Sequence, residues 1–313
     1  MKKISIVVSC YNEEAVLDKY YPAFMEVMKP IDVDYELIFV NDGSSDKSLD
    51  ILHDLAKKDD HVKLVSFSRN FGHEAAMIAG IDYATGEGIV CMDADLQHPV
   101  TCIPDIIERF DAGYEVISMV RMANKSAGLI KNITSTAFYK VINMLSKNTQ
   151  FEENASDFFA ISSRVAKVLH DNYRERVRFL RGYVQSVGFK KTTLEYVAAE
   201  RAGGASHYSL KKLLEFSINT IVCFSDFPLK LGIYAGLVSG LLGLIVLIYS
   251  LVTMSGAPSG YTTLVVLNCF MFAVLFIVVG TIGQYIAVLF AETKDRPIYI
   301  VEETINFDEK DQI

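Results

Sequence analysis

From the start of the chain to Val120, short apolar runs alternate with segments of helical spacing. Ile4–Ser9, Tyr35–Val40, Val62–Phe67, Gly88–Met92 and Tyr114–Val120 are β-rich and bounded by polar residues, so they are expected to be strands. Between them, Glu13–Met28, Asp46–Lys58, His73–Ala84 and Thr101–Ala112 have helical spacing, the second with Leu49, Leu52, Leu55 and Ala56 on one stripe. Strand and helix in strict turn predict an α/β fold with a mostly parallel, buried sheet. In such sheets ligands sit beyond the carboxyl ends of the strands, so the polar residues ending each strand are the place to look.

After Val120 the rhythm changes. A helix is expected over Leu129–Ser146, a polar loop to about Ser156, a short strand at Phe158–Ile161, a helix from Ser163 and a strand near Thr192–Val197. Leu210–Asn219 sets Lys211 and Lys212 opposite Leu210, Leu213, Leu214 and Phe216, as in a helix lying on a membrane surface. Leu231–Met254 and Leu264–Phe290 are each apolar and long enough to cross ~30 Å of hydrocarbon. The expected organisation is an α/β domain over 1–208, an amphipathic juxtamembrane segment over 209–230, spans at 231–254 and 264–290 joined by an external turn at 255–263, and a cytoplasmic tail over 291–313.

Charge sharpens this division. The 61 residues from Leu231 to Ala291 contain no Lys, Arg, Asp or Glu. Lys211, Lys212 and Lys230 precede the first span, Lys294 and Arg296 follow the second, and the turn has no positive charge, which places both ends in the cytoplasm. Gly232, Gly236 and Gly240 form a small-residue stripe that would admit a close helix, either the second span or a second copy of the chain in a homo-oligomer. The net charge of −8 divides into −10 over residues 1–163 and +7 over 164–212, so a basic block lies just ahead of the membrane segment, placed to meet anionic head groups or a phosphate.

Several classes fall away. The five cysteines are scattered with no C-x-x-C, and the six histidines lack metal spacing, so a disulfide framework and zinc chemistry are not expected. Met1-Lys2-Lys3 before Ile4–Cys10 imitates a lipoprotein signal, but the apolar run is shorter than the about 7–15 residues a signal core needs and reads as a first buried strand. Neither G-x-G-x-x-G after a strand nor G-x-x-x-x-G-K-[ST] occurs, which removes the signatures of dinucleotide oxidoreductases and P-loop NTPases. A nucleic-acid partner is not expected.

What remains at the strand ends is acidic: Ser9 to Glu14, Asn41 to Asp46, and Asp93 to Pro99. Such an edge can hold a diphosphate if a cation neutralises both sides. Asp93-x-Asp95 offers hard oxygen ligands suited to Mg²⁺ or Mn²⁺.

Val8 to Glu14, Val40 to Asp46, Ser68 to Ala76 and Met92 to Pro99 resemble, in order and spacing, the GT-A family 2 glycosyltransferases that load sugars onto polyprenyl phosphates, the dolichol-phosphate mannosyltransferase and bactoprenol glucosyltransferase group. Arg178 to Gly182, Arg201 to Tyr208 and Arg296-Pro297-Ile298-Tyr299 match the same group. The resemblance implies a nucleotide-sugar donor, UDP-linked rather than GDP-linked and bearing glucose or N-acetylglucosamine. It also implies an undecaprenyl or other polyprenyl phosphate acceptor, a bacterial inner membrane, a role in envelope glycosylation, and inversion at the anomeric carbon.

Carried over by position, Tyr11, Glu13 and Asp42 would line the nucleotide pocket, Asp93 would sit near ribose and phosphates, and Asp95 with Gln97 would hold the metal. Asp157 would be the catalytic carboxylate, orienting the acceptor phosphate and removing its last proton when present. Arg121, Lys131, Arg178, Arg181, Arg201 and His207 would hold that phosphate. The family pattern around Asp157 is closer to Gly-Asp-Phe-Arg, so Ser156 and Phe159 are departures that leave the carboxylate and remove the arginine.

Two rivals differ in chemistry. A processive polysaccharide synthase needs more spans and a motif such as Q-x-x-R-W, whereas this chain has two predicted spans and no Trp. A sugar-nucleotide-binding membrane regulator without turnover would not need Asp95 and Asp157 together.

His207 stands where the family usually has lysine, which exchanges a fixed charge for a titrating one. Acceptor affinity is therefore expected to weaken between about pH 6 and 8.5 in the wild type and to stay level in His207→Lys. Equal acceptor KM values across that range in both proteins would remove the role.

Overall fold

The computed structural model describes residues 1–122, 152, 155–176, 178–198, 227–252 and 260–307. Two compact units divide the chain, Met1–Leu214 with Pro297–Ile313, and Glu215–Arg296. The expected helix at 129–146, the interfacial helix at 210–219 and the turn over 255–259 lie outside the described residues.

The first unit is built on one sheet whose strands are β1 (Lys3–Cys10), β2 (Asp34–Asn41), β3 (Val62–Phe67), β4 (Gly88–Asp93), β5 (Val116–Arg121), β6 (Ala155–Ser162), β7 (Lys191–Tyr196) and β8 (Val301–Ile305). Their order across the sheet is β7-β5-β6-β4-β1-β2-β3-β8. Strands β1 to β5 and β7 run one way, while β6 and β8 run against them. The mostly parallel α/β sheet expected from the alternating pattern is therefore present, of the GT-A type.

Helices α1 (Glu14–Met28), α2 (Ser48–Lys58), α3 (His73–Tyr83), α4 (Ile103–Asp111), α5 (Ser163–Asn172) and α6 (Leu180–Ser186) accompany the strands. Helix α1 buries Val16, Leu17, Tyr20, Phe24 and Met28 along one stripe. Helix α3 is instead small and apolar nearly all round, with Ala75, Ala76, Ala79 and Gly80 buried. A Cβ on Gly80 would overlap Val7 Cγ1 of β1, so glycine is what lets this helix lie so close to the central strand.

Two elements were not expected. Helix α6 has only seven residues and no side-chain cap, too short for a periodic signal. The residues anticipated as a cytoplasmic tail instead supply β8, which pairs antiparallel with the edge strand β3. Its sequence, with Glu302 and Glu303 in five residues, is that of a polar edge strand and shows no apolar alternation.

In the second unit, α7 (Phe227–Val252) and α8 (Tyr261–Thr293) are long helices. Phe270–Thr293 within α8 is apolar and long enough to cross a membrane. Large apolar side chains are exposed on both, among them Leu237 and Val238 on α7 and Phe276 and Leu289 on α8. Gly232 lies against Val278 of α8, whereas nothing described approaches within 4 Å of a Cβ at Gly236 or Gly240. The glycine stripe thus meets the second helix only at its first member among the described residues.

At the end of the sheet opposite the acidic strand ends, Glu36 on β2 is 1% exposed. Its carboxylate accepts hydrogen bonds from Ser5 Oγ and from the Thr85 N–H and hydroxyl, and pairs with Lys3 at 3.0 Å and Lys63 at 2.9 Å. Burial opposes its charge, but these partners together hold its pKa at about 2 instead of 4.5. A depressed folded pKa gives stability that is present above the unfolded value and lost as pH falls through the folded one. Glu36→Gln is expected to cost on the order of 3 kcal/mol near neutral pH, with the gap to wild type closing between about pH 4.5 and 2. Unfolding of the full-length chain across that range measures it, and a gap independent of pH would contradict the assignment.

Candidate active site

The carboxyl ends of β1, β2 and β4 lie side by side, with Ser9 paired to Asp93 and Cys10 to Asn41 in the ladders. Strand β6 runs the other way, so its beginning arrives at the same edge. Its ladder with β4 ends at the pair Cys91 and Phe159, so Asp93 and Asp157 each lie two residues past the last pair, at this edge. An irregularity between Ser118 and Val120 interrupts the pairing of β5 with β6 beside Asp157. Arg121 and Tyr196 end the paired stretch of β5 and β7 at this edge.

The loops after β1 and β2 cap each other's helices. The N–H groups of Glu13 and Glu14 donate to Ser48 Oγ and Asp46 Oδ2, while the Lys47 N–H donates to Glu14 Oε2. Asn12, with φ of 57°, takes the Ser45 N–H on its side-chain oxygen. Tyr11 is left at the rim, 48% exposed.

Asp42 is buried, and its two oxygens accept from Phe71 N–H at 2.6 Å and Gly72 N–H at 2.9 Å. These bonds hold the loop before α3 against the end of β2. Gly43 beside it has φ of 63°, and a Cβ there would run into the Arg69 backbone. Burial raises the Asp42 pKa in spite of the two N–H donors and the nearby His73 and Arg69.

That loop delivers His73 and Glu74 to the edge. Ser9 Oγ donates its one proton to Asp93 Oδ1 at 3.2 Å and therefore accepts from His73 Nδ1 at 3.0 Å. His73 Nδ1 is also 3.5 Å from Asp93 Oδ1. Burial works against charge on this imidazole, yet Asp93, Asp157, Glu74 and Asp42 together lift its pKa. On the other side, the Asp93 N–H donates to His98 Nδ1 at 3.0 Å. His98 stacks on Phe158 at 5.0 Å, and Tyr196 meets both rings edge-on, so three packed rings adjoin the acidic edge.

The turn after β4 places Leu96 at φ of 60°, and the Gln97 N–H donates to Asp95 Oδ1 at 3.0 Å. Among the described residues no three His, Cys, Asp or Glu side chains gather into a metal cage. Two carboxylates and an amide oxygen on one tight turn fit a hard divalent cation that takes few protein ligands and fills its shell with phosphate and water oxygens. Asp95 and Gln97 are the residues that would hold it.

Asp157 is half-exposed, with Arg181 Nη1 3.8 Å from Oδ1. Burial of the carboxyl favours its protonated form, but Arg181, His73 and His98 outweigh that and bring its pKa below the usual carboxylate range. Arg181 also donates to the Ala155 carbonyl at 2.7 Å, so it fixes the start of β6 as well as facing the carboxylate. Glu74 goes the opposite way. Burial and the Asp157 charge raise it from 4.5 to about 7, although it accepts the Leu180 N–H and lies near His73 and Arg178. Arg178 donates from Nε to the Arg176 carbonyl and Arg121 is exposed. Lys131, Arg201 and His207 lie outside the described residues.

Ser9, His73, Glu74 and His98 had no assigned role in the sequence reading. His73 and Glu74 stand inside the Ser68 to Ala76 motif, so their position was visible and their chemistry was not. What they touch depends on β1 and β6, which are distant in the chain.

The model of "Glycosyl transferase family 2" matches residues 5–169. The "Uncharacterized glycosyltransferase YkcC" of Bacillus subtilis (strain 168) is 39% identical over 98% of this chain and 95% of its own length. "Bactoprenol glucosyl transferase" of Shigella phage SfV is 38% identical over 96% and 98%, and the "Prophage bactoprenol glucosyl transferase homolog" of Escherichia coli (strain K12) 37% over 96% and 98%. A solved structure of glucosyl-3-phosphoglycerate synthase from Mycobacterium tuberculosis, in complex with Mn²⁺, UDP-glucose and phosphoglyceric acid, aligns with a TM-score of 0.45 at 19% identity, covering 71% of this chain and 78% of that one.

The raised Glu74 pKa has a consequence for stability. A carboxyl whose folded pKa lies above its unfolded value stabilises the fold below about pH 4.5 and loses that contribution as pH rises through about 7. Glu74→Gln stays neutral and keeps an acceptor for the Leu180 N–H. It is expected to melt with the wild type near pH 4.5 and above it at pH 8; coincident melting curves at pH 8 would contradict the shift.

Proposed function

Because this chain belongs to glycosyl transferase family 2, we propose that it transfers one sugar from a nucleotide-sugar to a polyprenyl phosphate, giving a lipid-linked monosaccharide. The observation that carries the reading is the meeting of Asp93 and Asp157 at one sheet edge, with His73 3.5 Å from the first and Arg181 3.8 Å from the second. Relatives named bactoprenol glucosyl transferases, matching over nearly the whole chain, support glucose as the sugar and an undecaprenyl phosphate as the acceptor. A UDP-sugar is the preferred donor, with N-acetylglucosamine the other candidate sugar.

In the proposed reaction a lipid phosphate oxygen attacks the anomeric carbon. The bond from that carbon to the diphosphate oxygen breaks, and its electron pair leaves on the nucleoside diphosphate, so configuration inverts. Tyr11, Glu13 and Asp42 are assigned to the nucleoside side and Asp93 to ribose and phosphates. A Mg²⁺ or Mn²⁺ ion held by Asp95 and Gln97 would offset the negative charge growing on the leaving group.

Asp157 binds its proton too weakly to be an efficient base near neutral pH. Of its two expected roles, orientation is the one its surroundings favour: the P–OH of an acceptor phosphate that still has a proton donates a hydrogen bond to Asp157, which aims the attacking oxygen, and that proton passes to solvent as the diester forms. Arg121, Arg178 and Arg181, with Lys131, Arg201 and His207, are assigned to the acceptor phosphate. Helices α7 and α8 are read as two spans of a bacterial inner membrane, with the α/β unit and both termini on the cytoplasmic side as the flanking positive charges require.

The test offers a panel of nucleotide-sugars and undecaprenyl phosphate to the purified full-length chain, with the lipid product weighed by mass spectrometry. One added sugar supports the proposal, a polymer favours a processive synthase, and no product favours a binding protein. Asp157→Asn is expected to lower turnover by roughly 10²-fold or more at saturating donor and metal. Turnover near wild type would remove Asp157 from the mechanism.

A further inference from the structure

The Arg296-Pro297-Ile298-Tyr299 motif has no part in the reaction outlined above, yet it makes some of the most closely defined contacts in the α/β unit. Tyr299 stands six residues beyond the end of α8 at Thr293 and just ahead of β8. Its hydroxyl donates to Asp82 Oδ2 at 2.7 Å, and its ring lies parallel to that of Phe67, 5.2 Å between centroids and 9° between planes.

These two partners bracket one segment of chain. Phe67 ends β3, and Asp82 is the penultimate residue of α3. Between them run the loop 68–72 and nearly all of α3, which bring His73 and Glu74 to the acidic edge. One side chain therefore grips both flanks of the segment that supplies these two residues.

The grip is reinforced at each flank. Phe67 meets Phe71 edge-on at 5.7 Å, Arg69 lies over the Phe71 ring at 4.1 Å, and the Ser68 N–H donates to the Ile300 carbonyl at 3.1 Å. Phe71 is in turn one of the two residues whose N–H groups hold Asp42. At the far flank, Asp82 has a side chain only 4% exposed and also accepts from His170 Nδ1 and from Arg174 Nη1, each at 2.9 Å. A buried carboxylate with several donors fixes geometry more tightly than an exposed pair, because each bond is charge-assisted and water does not compete. Burial and Asp82 raise the Tyr299 pKa further still, so the hydroxyl remains a donor.

We propose that Tyr299 is a positioning residue for the transfer reaction: by stacking on Phe67 and bonding Asp82 it holds the 68–81 segment so that His73 and Glu74 keep their places beside Asp93 and Asp157. This inference rests on the reaction proposed above. A displacement of about 1 Å at a reacting centre can cost roughly 10²-fold in rate, so loosening this segment acts on turnover before it acts on folding.

The closing experiment compares Tyr299→Phe, which keeps the ring and removes the hydroxyl, with Phe67→Leu, which removes the stack and keeps the hydroxyl. Glu303→Gln is the control. It weakens β8 at a different contact, the 2.8 Å bond to His53 Nε2, away from the 68–81 segment. In the full-length chain with UDP-glucose and undecaprenyl phosphate, kcat is expected to fall roughly tenfold in each of the first two variants and to hold in the control, with acceptor KM unchanged in all three. Amide hydrogen exchange should quicken across 68–83 in Tyr299→Phe and not in Glu303→Gln. If Tyr299→Phe matches wild type in kcat, or if all three variants lose activity in step with melting temperature, the positioning role is overturned. If the wild type itself forms no lipid-linked sugar, the proposed reaction fails, and the exchange comparison alone decides the positioning role, unaltered exchange over 68–83 overturning it.

Discussion

Four carboxyl groups, Asp42, Glu74, Asp93 and Asp157, approach one edge of one sheet, and the local architecture follows from keeping them there despite their mutual repulsion. Each is held differently. Asp42 spends its charge on two backbone N–H groups. Asp93 receives Ser9, and His73 stands beside it with a raised pKa. Asp157 is held ionised by Arg181 with two imidazoles, and Glu74 answers that charge by retaining its proton to about pH 7. The two neighbouring carboxyls are thus driven in opposite directions, Asp157 toward its anion and Glu74 toward its acid.

The reversal of β6 is what makes this cluster possible. Had β6 run with its neighbours, Asp157 would sit at the opposite edge from Asp93, beside the Glu36 network and far from the strand ends. An antiparallel strand inserted between β4 and β5 brings its first residues to the edge where the parallel strands finish, and Asp157 and Asp93 each lie two residues past the last pair of the β4–β6 ladder. The irregularity in the pairing of β5 with β6 falls at the same place, across from Asp157.

The strands and helices up to Val120 were legible because their periods are unambiguous, and their observed bounds depart from expectation by at most two residues, those of Val62–Phe67 not at all. The acidic strand ends were legible for the same reason, since a parallel sheet sends every strand terminus to one edge. Strand direction was not legible at β6, because the pattern of a short strand does not say which way it runs. Nor was β8, whose pairing partner β3 lies more than 200 residues away and whose two glutamates hide any alternation. The Tyr299 grip on Phe67 and Asp82 was invisible for a related reason: both partners are buried residues at or near the ends of their own elements, and only the return of the chain to the sheet joins them.

On the proposed reaction both substrates are anionic, and this explains why the charge of the chain is segregated. A nucleoside diphosphate and a lipid phosphate a few ångströms apart repel with several kcal/mol at an effective dielectric of about 20. An acidic edge alone would add to that repulsion. It becomes a donor site only when a cation joins it to the diphosphate, and an acceptor site only when fixed positive charge meets the second phosphate. The division into −10 over residues 1–163 and +7 over 164–212 sets most of the negative charge ahead of the block with Arg178, Arg181, Arg201 and His207, while Arg121 and Lys131 are acceptor candidates within the acidic block. Arg181, reaching from α6 to Asp157 and the first carbonyl of β6, joins the two charge blocks at the acidic edge, as Arg174 joins them at Asp82.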